Sequence, residues 1–394
     1  MREGWRTLKL SKVCSLVNGR AYKKTELLSE GRYPVLRVGN LFTNKQWYYS
    51  DLELDEDKYC DKGDLIYAWS ASFGPKIWEG DKVIYHYHIW KILPDFDNVT
   101  RDFLYHLFEW DKEQIKSAHG TGTTMMHVGK SSMENRLAPI PPLTEQKQIV
   151  AILDEAFTAI DQAKANIEKN IQNAKELFQS KLNDIFSQKG DGWEEKTLKE
   201  IAKDFGRGKS KNRPRNDSKL FGGKYPFVQT GDVRNTGKIL TTYSQTYNEV
   251  GLAQSKLWPK GTICITIAAN IAETAILDFD SCFPDSIIGL VVDSKLADSD
   301  YTYFSLQFLK GKLQELGKGS AQDNINLGTF QKQYFPFPNI KRQKEIVLIL
   351  DKISLQTNQV ESKYQQKLIE LEELKKSILK KAFAGELTNK MVEV

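Results

Sequence analysis

The sequence predicts an α+β protein built from two repeated domains, each followed by one long helix, with the two helices pairing antiparallel as a coiled coil about a pseudo-two-fold axis. Three observations carry this prediction. Motifs of the first half return in the same order in the second, and a repeat on this scale sets the architecture. Each copy ends in a segment with apolar residues at alternating steps of four and three and no Gly or Pro, the pattern of an uninterrupted helix. Ahead of those segments, short apolar runs alternate with turn residues, as in a small mixed domain. At 394 residues the chain is also too long for one core.

Taken in order, the first copy opens with Gly4-Trp5 and Leu8, which return as Gly192-Trp193 and Leu198, with Trp193 lying 188 residues after Trp5. Tyr33-Pro34 followed by Gly39-Asn40-Leu41 returns as Tyr225-Pro226 followed by Gly231-Asp232-Val233, now 192 residues apart. Lys62-Gly63-Asp64-Leu65-Ile66 returns as Lys260-Gly261-Thr262-Ile263-Cys264 at an offset of 198, and from Pro141 and Pro338 onward the offset holds at 197. Early drift and later constancy separate a loop-rich unit, which absorbs insertions, from a helix, on which an insertion turns every later side chain. Strands are predicted over Tyr33 to Val38, Leu65 to Trp69, Val83 to Ile92, Thr262 to Ile267 and Ile287 to Val292. Shorter helices are predicted over Arg101 to Ala118 and Tyr301 to Leu316.

The first long segment carries Ile149, Leu153, Ala156, Ile160, Ala163 and Ile167, then Ile171, Ala174, Phe178 and Ile185 after one extra step, a heptad seam with a stutter. The second runs Ile346, Leu350, Ile353, Thr357, Val360, Tyr364, Lys367, Leu371, Leu374 and Ile378 in unbroken heptads. At about 1.5 Å per residue each helix is on the order of 60 Å long. Neither hides its stripe alone, and the domain between them lets the chain return and pair them. Helix-pairing residues are therefore Ile149, Leu153, Ile160 and Ile167 against Ile346, Leu350, Ile353, Tyr364 and Leu371; the alternative is that each helix packs on its own domain. The domains expected are residues 1–142 and 189–339, with helices over 143–188 and 340–387 and a tail of 388–394.

Composition excludes several classes. Hydrophobic residues at 40% and charged residues at 27% belong to a folded soluble chain. The 56 Lys and Arg nearly balance 51 Asp and Glu, so only local clustering can argue for nucleic acid. Cys14, Cys60, Cys264 and Cys282 lie far apart without a CxxC pair, which fits a reducing compartment. No window approaches the roughly 18 apolar residues of a membrane span, and a cytoplasmic location is expected.

Catalytic patterns fail one by one. The stretch Phe205-Gly206-Arg207-Gly208-Lys209-Ser210 ends like a phosphate loop, but Lys203 stands where its first glycine belongs. Asp285, Asp293 and Lys295 mimic a metal nuclease without a counterpart in the first copy. His86 and His88 would share one face of a strand, yet no third metal ligand accompanies them. Duplicated domains without a shared acid, base or nucleophile point to duplicated binding. No metal and no cofactor are expected on this chain.

Binding residues do cluster. Between Lys203 and Lys224 stand Lys203, Arg207, Lys209, Lys211, Arg213, Arg215, Lys219 and Lys224 against only Asp204 and Asp217. The first copy places Arg20, Lys23 and Lys24 in the equivalent loop, interleaved with Tyr22 and Tyr33. Such cations suit a phosphate backbone, although a single charge run is more simply a solvated loop. Base readers are expected at strand ends: Arg37, Asn40, Trp69, Ser70 and Ser72 in the first domain, and Gln229, Asp232, Arg234, Ala269 and Asn270 in the second.

On the paired openings, the Tyr-Pro and Lys-Gly strands, the helix start Pro141-Pro142-Leu143-Thr144-Glu145-Gln146-Lys147-Gln148-Ile149-Val150 and the ending Lys380-Lys381-Ala382-Phe383-Ala384-Gly385-Glu386-Leu387, the whole chain resembles the specificity subunit of type I restriction-modification enzymes. The resemblance implies two target-recognition domains held apart by two antiparallel helices, each domain reading one half of a split DNA site. It implies no catalysis by the chain itself. The partners implied are double-stranded DNA, two methyltransferase subunits using S-adenosylmethionine, and restriction subunits using ATP and Mg. The second helix start, Pro338-Asn339-Ile340-Lys341-Arg342-Gln343, departs from the first. Alternatives are the specificity subunit of a related system with a fused cutting and methylating partner, a two-domain coiled-coil scaffold, and a nuclease built on Asp285, Asp293 and Lys295.

Overall fold

The computed structural model describes residues 2–43, 46–70, 73–119, 127–188, 190, 192–211, 214–268, 271–318 and 327–388. The chain forms two compact units, Met1–Glu168 with Gln365–Val394, and Lys169–Tyr364. Each unit thus holds one mixed domain and parts of both long helices, which run over Leu143–Ser187 and Ile340–Phe383.

In the first unit a ribbon of Arg6–Lys9 against Leu137–Ile140 brings the start of the domain to its end. One sheet has Cys14–Asn18, Ile89–Pro94, Leu65–Ala68 and Gly74–Ile77 as neighbours in that order, and the other has Tyr48–Ser50, Tyr33–Leu36, Val83–Tyr85 and Tyr59–Cys60. The second unit repeats this plan. Its ribbon pairs Glu194–Thr197 with Tyr334–Phe337, its smaller sheet again has four strands, and its larger sheet gains an edge strand, Ile239–Leu240, laid parallel to Thr274–Leu277. Central strands such as Leu65–Ala68 and Ile263–Thr266 are buried at every position, so they read as unbroken apolar runs and not as alternating ones.

Each domain rests a helix on one of its sheets: Arg101–His119 on the sheet holding Gly74–Ile77 in the first unit, Ser299–Lys318 on the five-stranded sheet in the second. Phe103, Leu107 and Phe108 join Ile149, Leu153, Phe157, Leu379 and Phe383 in one core, with Trp110 stacked on Phe383 at 5.2 Å. In the second unit Tyr301 and Phe304 share a core with Leu182, Phe186, Ile346 and Leu350. The ends of both long helices are therefore part of domain cores. Their middles pair with one another, and the ion pairs Lys164–Glu372 within one unit and Lys175–Glu361 within the other give the antiparallel sense. Both readings of the helices hold, each over a different stretch.

The start of each long helix is fixed by a buried glutamine. Gln146 accepts the Thr100 amide at 2.9 Å through Oε1 and donates from Nε2 to the Asn98 and Pro141 carbonyls at 2.8 and 2.9 Å. Gln343 repeats this with the Asp298 amide at 2.8 Å and the Pro338 carbonyl at 2.7 Å. The departures around it have a local cause. Glu145 accepts from Trp5 Nε1 at 3.0 Å and pairs with Arg2, whereas Arg342 turns to Glu345 at 2.9 Å.

The unbroken heptad expected for the second helix is corrected. Val360 and Leu374 are 38% and 47% exposed, while Glu361, Leu368 and Lys375 are half-buried, the Lys375 ammonium lying 4.7 Å from the Phe157 ring. The covered stripe runs Ile346, Leu350, Ile353, Thr357, Glu361, Tyr364, Leu368, Leu371, Lys375, Ile378 and Ala382, ten steps from 346 to 382, or 3.6 residues per step. That is the period of a straight helix, imposed because each end is locked into a domain core. On the first helix the stripe likewise takes Phe157, Leu182 and Phe186 ahead of Ala156 and Ile185.

Candidate nucleic-acid interface

In both units the chain passes from one sheet to the other between two successive strands. Val83–Tyr85 lies parallel to Tyr33–Leu36, and the chain then continues as Ile89–Pro94 beside Cys14–Asn18. In the second unit Ser281–Cys282 lies parallel to Phe221–Phe227, and Ile287–Val292 then runs beside Ala202–Arg207. The single strand expected over Val83 to Ile92 is thus two strands joined by a crossing segment, and His86 and His88 sit in that segment and not on one strand face. A strand that changes sheets must turn out of one ladder before joining the next, and no apolar pattern marks that turn.

The two crossings share key backbone hydrogen bonds. The Ile89 amide donates to the His86 carbonyl at 2.9 Å and Ile287 to Pro284 at 3.0 Å; Trp69 donates to His88 at 3.0 Å and Ile267 to Ser286 at 3.0 Å. A glycine presses against each crossing. A Cβ on Gly19 would lie 2.4 Å from the Tyr85 carbonyl oxygen, and one on Gly208 would lie 2.2 Å from that of Phe283. Both positions therefore require glycine. By this measure Gly19-Arg20 of the first copy stands where the second has Gly208-Lys209.

The repeated Gly-Asn and Gly-Asp motifs have a structural role. Asn40 is buried, its Oδ1 accepting the Arg37 amide at 3.1 Å, and the Asp232 carboxylate accepts the Gln229 amide at 2.8 Å and the Ser244 hydroxyl at 3.2 Å. These side chains cap the short helices Val38–Thr43 and Thr230–Arg234. The caps present Arg37, exposed over the Tyr48 ring at 5.2 Å, and Gln229, whose Nε2 donates to Gln245 Oε1 at 2.9 Å. Arg234 is exposed on the second short helix.

Among the basic loops, several charges already have partners. Arg20 makes a two-point pair with Glu26 at 2.9 Å and lies over Tyr22, and that pairing holds the Glu26 carboxyl at about 2. Arg215 meets the Asp285 carboxylate at 2.8 Å, and Arg207 Nε donates to the Asp285 carbonyl at 2.6 Å. Lys23, Lys24, Lys209 and Lys211 are exposed. Arg213, Ser72, Ala269 and Asn270 lie outside the described residues.

Trp69 and Ser70 border the first crossing. Trp69 Nε1 donates to the Tyr87 carbonyl at 2.7 Å, and its ring meets His88 edge-on at 4.9 Å. Ser70 is buried and bridges to His127. Burial, together with neighbouring His88 and Arg37, pushes His86 down to about 4; burial likewise lowers His88. These imidazoles are uncharged at neutral pH. The nuclease trio is not assembled: Asp285 and Asp293 stand beyond opposite ends of the six-residue strand Ile287–Val292, which is itself roughly 20 Å long at about 3.3 Å per residue. Among the described residues no cluster of three or more His, Cys, Asp or Glu side chains could hold a metal ion, and no helix is long and apolar enough to cross a membrane.

Sequence reasoning did not place His86, His88 and Gln46 of the first unit, or Gln245 and Ser286 of the second, among the binding residues. Pro284 and Ser286 stand where the first copy has His86 and His88, so no repeated residue type marks the crossing. The signal available was the offset: Tyr85 to Ile89 and Phe283 to Ile287 keep the 198 of the neighbouring Lys-Gly strands.

Two domains that share a backbone frame and differ in the side chains set on it define a tandem binding protein. A family model described as the type I restriction modification DNA specificity domain matches residues 2–173 and 190–372, and the chain belongs to that family. Among relatives, the type I restriction enzyme EcoBI specificity subunit of Escherichia coli is 25% identical, with 98% of this chain and 87% of the relative covered. The MjaVIII specificity subunit of Methanocaldococcus jannaschii is also 25% identical, covering 98% and 93%. Two solved structures share the fold. One, from work on the structural basis of complex assembly and conformational transition of the type I R-M system, has a TM-score of 0.79 at 21% identity over 98% of this chain and 99% of that one. The other, the HsdS subunit from Thermoanaerobacter tengcongensis, has a TM-score of 0.57 at 21% identity, covering 98% of each.

Proposed function

We propose that this chain is the DNA-reading subunit of a type I restriction-modification complex, each unit holding one half of a bipartite duplex target while two methyltransferase subunits and the restriction subunits dock on it. The observation that carries the reading is the double match to the DNA specificity domain, one copy in each half of the chain. The chain contributes recognition and no catalysis. S-adenosylmethionine belongs to the methyltransferase partners, ATP and Mg to the restriction partners, and the complex works in the cytoplasm. Phosphate contact falls to the exposed lysines of the two loops and to Arg20, Arg207, Arg213 and Arg215 of the same sequence stretches, and base contact to the residues around each crossing.

The test is a band shift of the full chain on duplex DNA across a salt series, followed by methylation mapping in the host. A shift that weakens steeply with salt, and a methylated motif in two parts, are expected. A folded chain that shifts no duplex overturns the DNA reading, and cleavage by the isolated chain with Mg overturns the non-catalytic one.

A further inference from the structure

At each crossing the backbone opens a recess. In the first unit it is a cavity of about 300 Å³ walled by Arg37, Asn40, Gln46, His86 and His88. In the second it is a cleft of about 660 Å³ that includes Gln229, Thr230, Gln245, Pro284 and Ser286. The two lie at the same point of the repeated fold, between the crossing segment and the residue that follows the Tyr-Pro strand. Their frames share the bonds described above and a third, from the glycine amide to the strand beyond (Gly19 to Ile89 at 3.1 Å, Gly208 to Ile287 at 2.8 Å), and each is pinned by a glycine with no room for a side chain. The side chains nevertheless differ completely along the crossing and at the strand end: His-Tyr-His against Pro-Asp-Ser, and Arg37 against Gln229. Where a duplicated frame is kept and only the groups aimed into its recess change, those groups are what distinguishes the two copies.

We propose that the crossing segments are the base-reading elements of their domains, and that the first recess, with Arg37 and the histidines at 86 and 88 on its walls, selects a guanine in its half-site. This rests on the reading that the chain binds duplex DNA. The guanidinium of Arg37 is a rigid fork of donors matched to the two acceptors guanine shows in the major groove. Its neighbours suit reading and not backbone attraction. Both imidazoles are uncharged, so they act through directed hydrogen bonds. They stand on a fixed backbone, with the His86 amide bonded to Leu36 at 2.9 Å and the Tyr87 amide to Arg20 at 3.0 Å. Aromatic contacts hold the rings, His86 against Tyr22 at 6.3 Å and His88 against Trp69. The second recess is read differently. Its Gln229–Gln245 amide pair and the Ser286 hydroxyl carry no charge, and Arg215 beside them is matched by Asp285.

Selection of bound sequences from a randomised duplex library by the full chain tests this. The wild type is expected to enrich a two-block motif with a guanine in one block. Arg37→Lys and His88→Ala should each lower the preference for that guanine roughly ten- to a hundredfold. The other block should not change, and affinity for a scrambled duplex should stay within about twofold. Ser286→Ala should alter the other block alone. Unchanged preferences at every position in folded variants, or an equal loss on all sequences, would overturn the proposal. If His88→Ala fails to fold, Arg37→Lys decides alone, because that side chain is exposed and its charge is kept. A wild-type chain that enriches no sequence overturns the DNA-specific reading itself, an outcome separate from variants that leave the motif intact.

Discussion

Charge at single residues is worth what its neighbours leave available. Lys209 and Lys211 are exposed beside a crossing, whereas Arg215 is tied to Asp285. Replacing both lysines by Gln should lower the slope of log affinity against log salt by about 1.8, since each lost phosphate contact removes about 0.9. Equal slopes for variant and wild type would take these lysines off the DNA backbone. The histidines make a second residue-scale prediction. Burial holds His86 near 4 against an ordinary value of 6.5. As pH falls from 6.5 toward 4, the unfolded chain takes up a proton that folded His86 refuses, so stability that is complete above 6.5 is lost across this window. His106, buried against Asp154, shifts in the same direction. All five histidines lie in the first copy. Hydrogen exchange of the full chain at pH 7 and pH 5 should therefore show added opening in the segment Val83 to Pro94 and none in Ser281 to Val292. A matched response in both segments would assign the acid sensitivity elsewhere.

At the scale of elements, the long helices depend on how they begin. Gln146 and Gln343 are 0% and 1% exposed and connect the start of each long helix to that of the domain helix beside it. Truncating either to Ala strands a buried amide and carbonyls together, which costs about 2–3 kcal/mol. Thermal or denaturant unfolding of Gln146→Ala and Gln343→Ala should show that loss, and a change below about 0.5 kcal/mol would mean that solvent replaces the lost bonds. The same segment explains why the two helix starts differ in sequence. Gln is common to both because the backbone groups it joins are common; Glu145 and Arg342 differ where Arg2, the cation paired with Glu145, is matched in the second copy by Gly190.

For the whole molecule, each long helix serves two cores. Ile149, Leu153 and Ile160 are covered within one unit, Ile171, Leu182 and Phe186 within the other, in both cases beside the second helix. A fragment ending near residue 190 keeps the domain against Ile149 and Leu153 but loses the second helix along the whole stripe and the second domain from Leu182 and Phe186. It should self-associate through the exposed seam, forming a dimer at concentrations on the order of micromolar, as the fold of a repeat permits. Light scattering on the fragment checks this, and a folded monomer at that concentration would show that the domain alone hides the stripe.

The sequence by itself determined the repeat, the α+β class, the helical segments and the family, because these rest on motif order and on hydrophobic period, both of which are local. It also singled out residues that border the recesses of the proposed reading: Arg37 and Gln229 line them, and Trp69 lies beside one crossing. Only the tertiary structure decided which of those residues face outward. Asn40 and Asp232 carry the right chemistry for base reading, yet their oxygens hold the amides of Arg37 and Gln229. The crossing segments escaped notice because a strand changing sheets has no periodic signature, and because their partners, Gly19 and Gly208, are distant in the chain. The heptad of the second helix failed at Val360 and Leu374 for a related reason. A period of 3.5 and one of 3.6 differ little over one turn, and which prevails over ten depends on what the two ends of the helix are packed against.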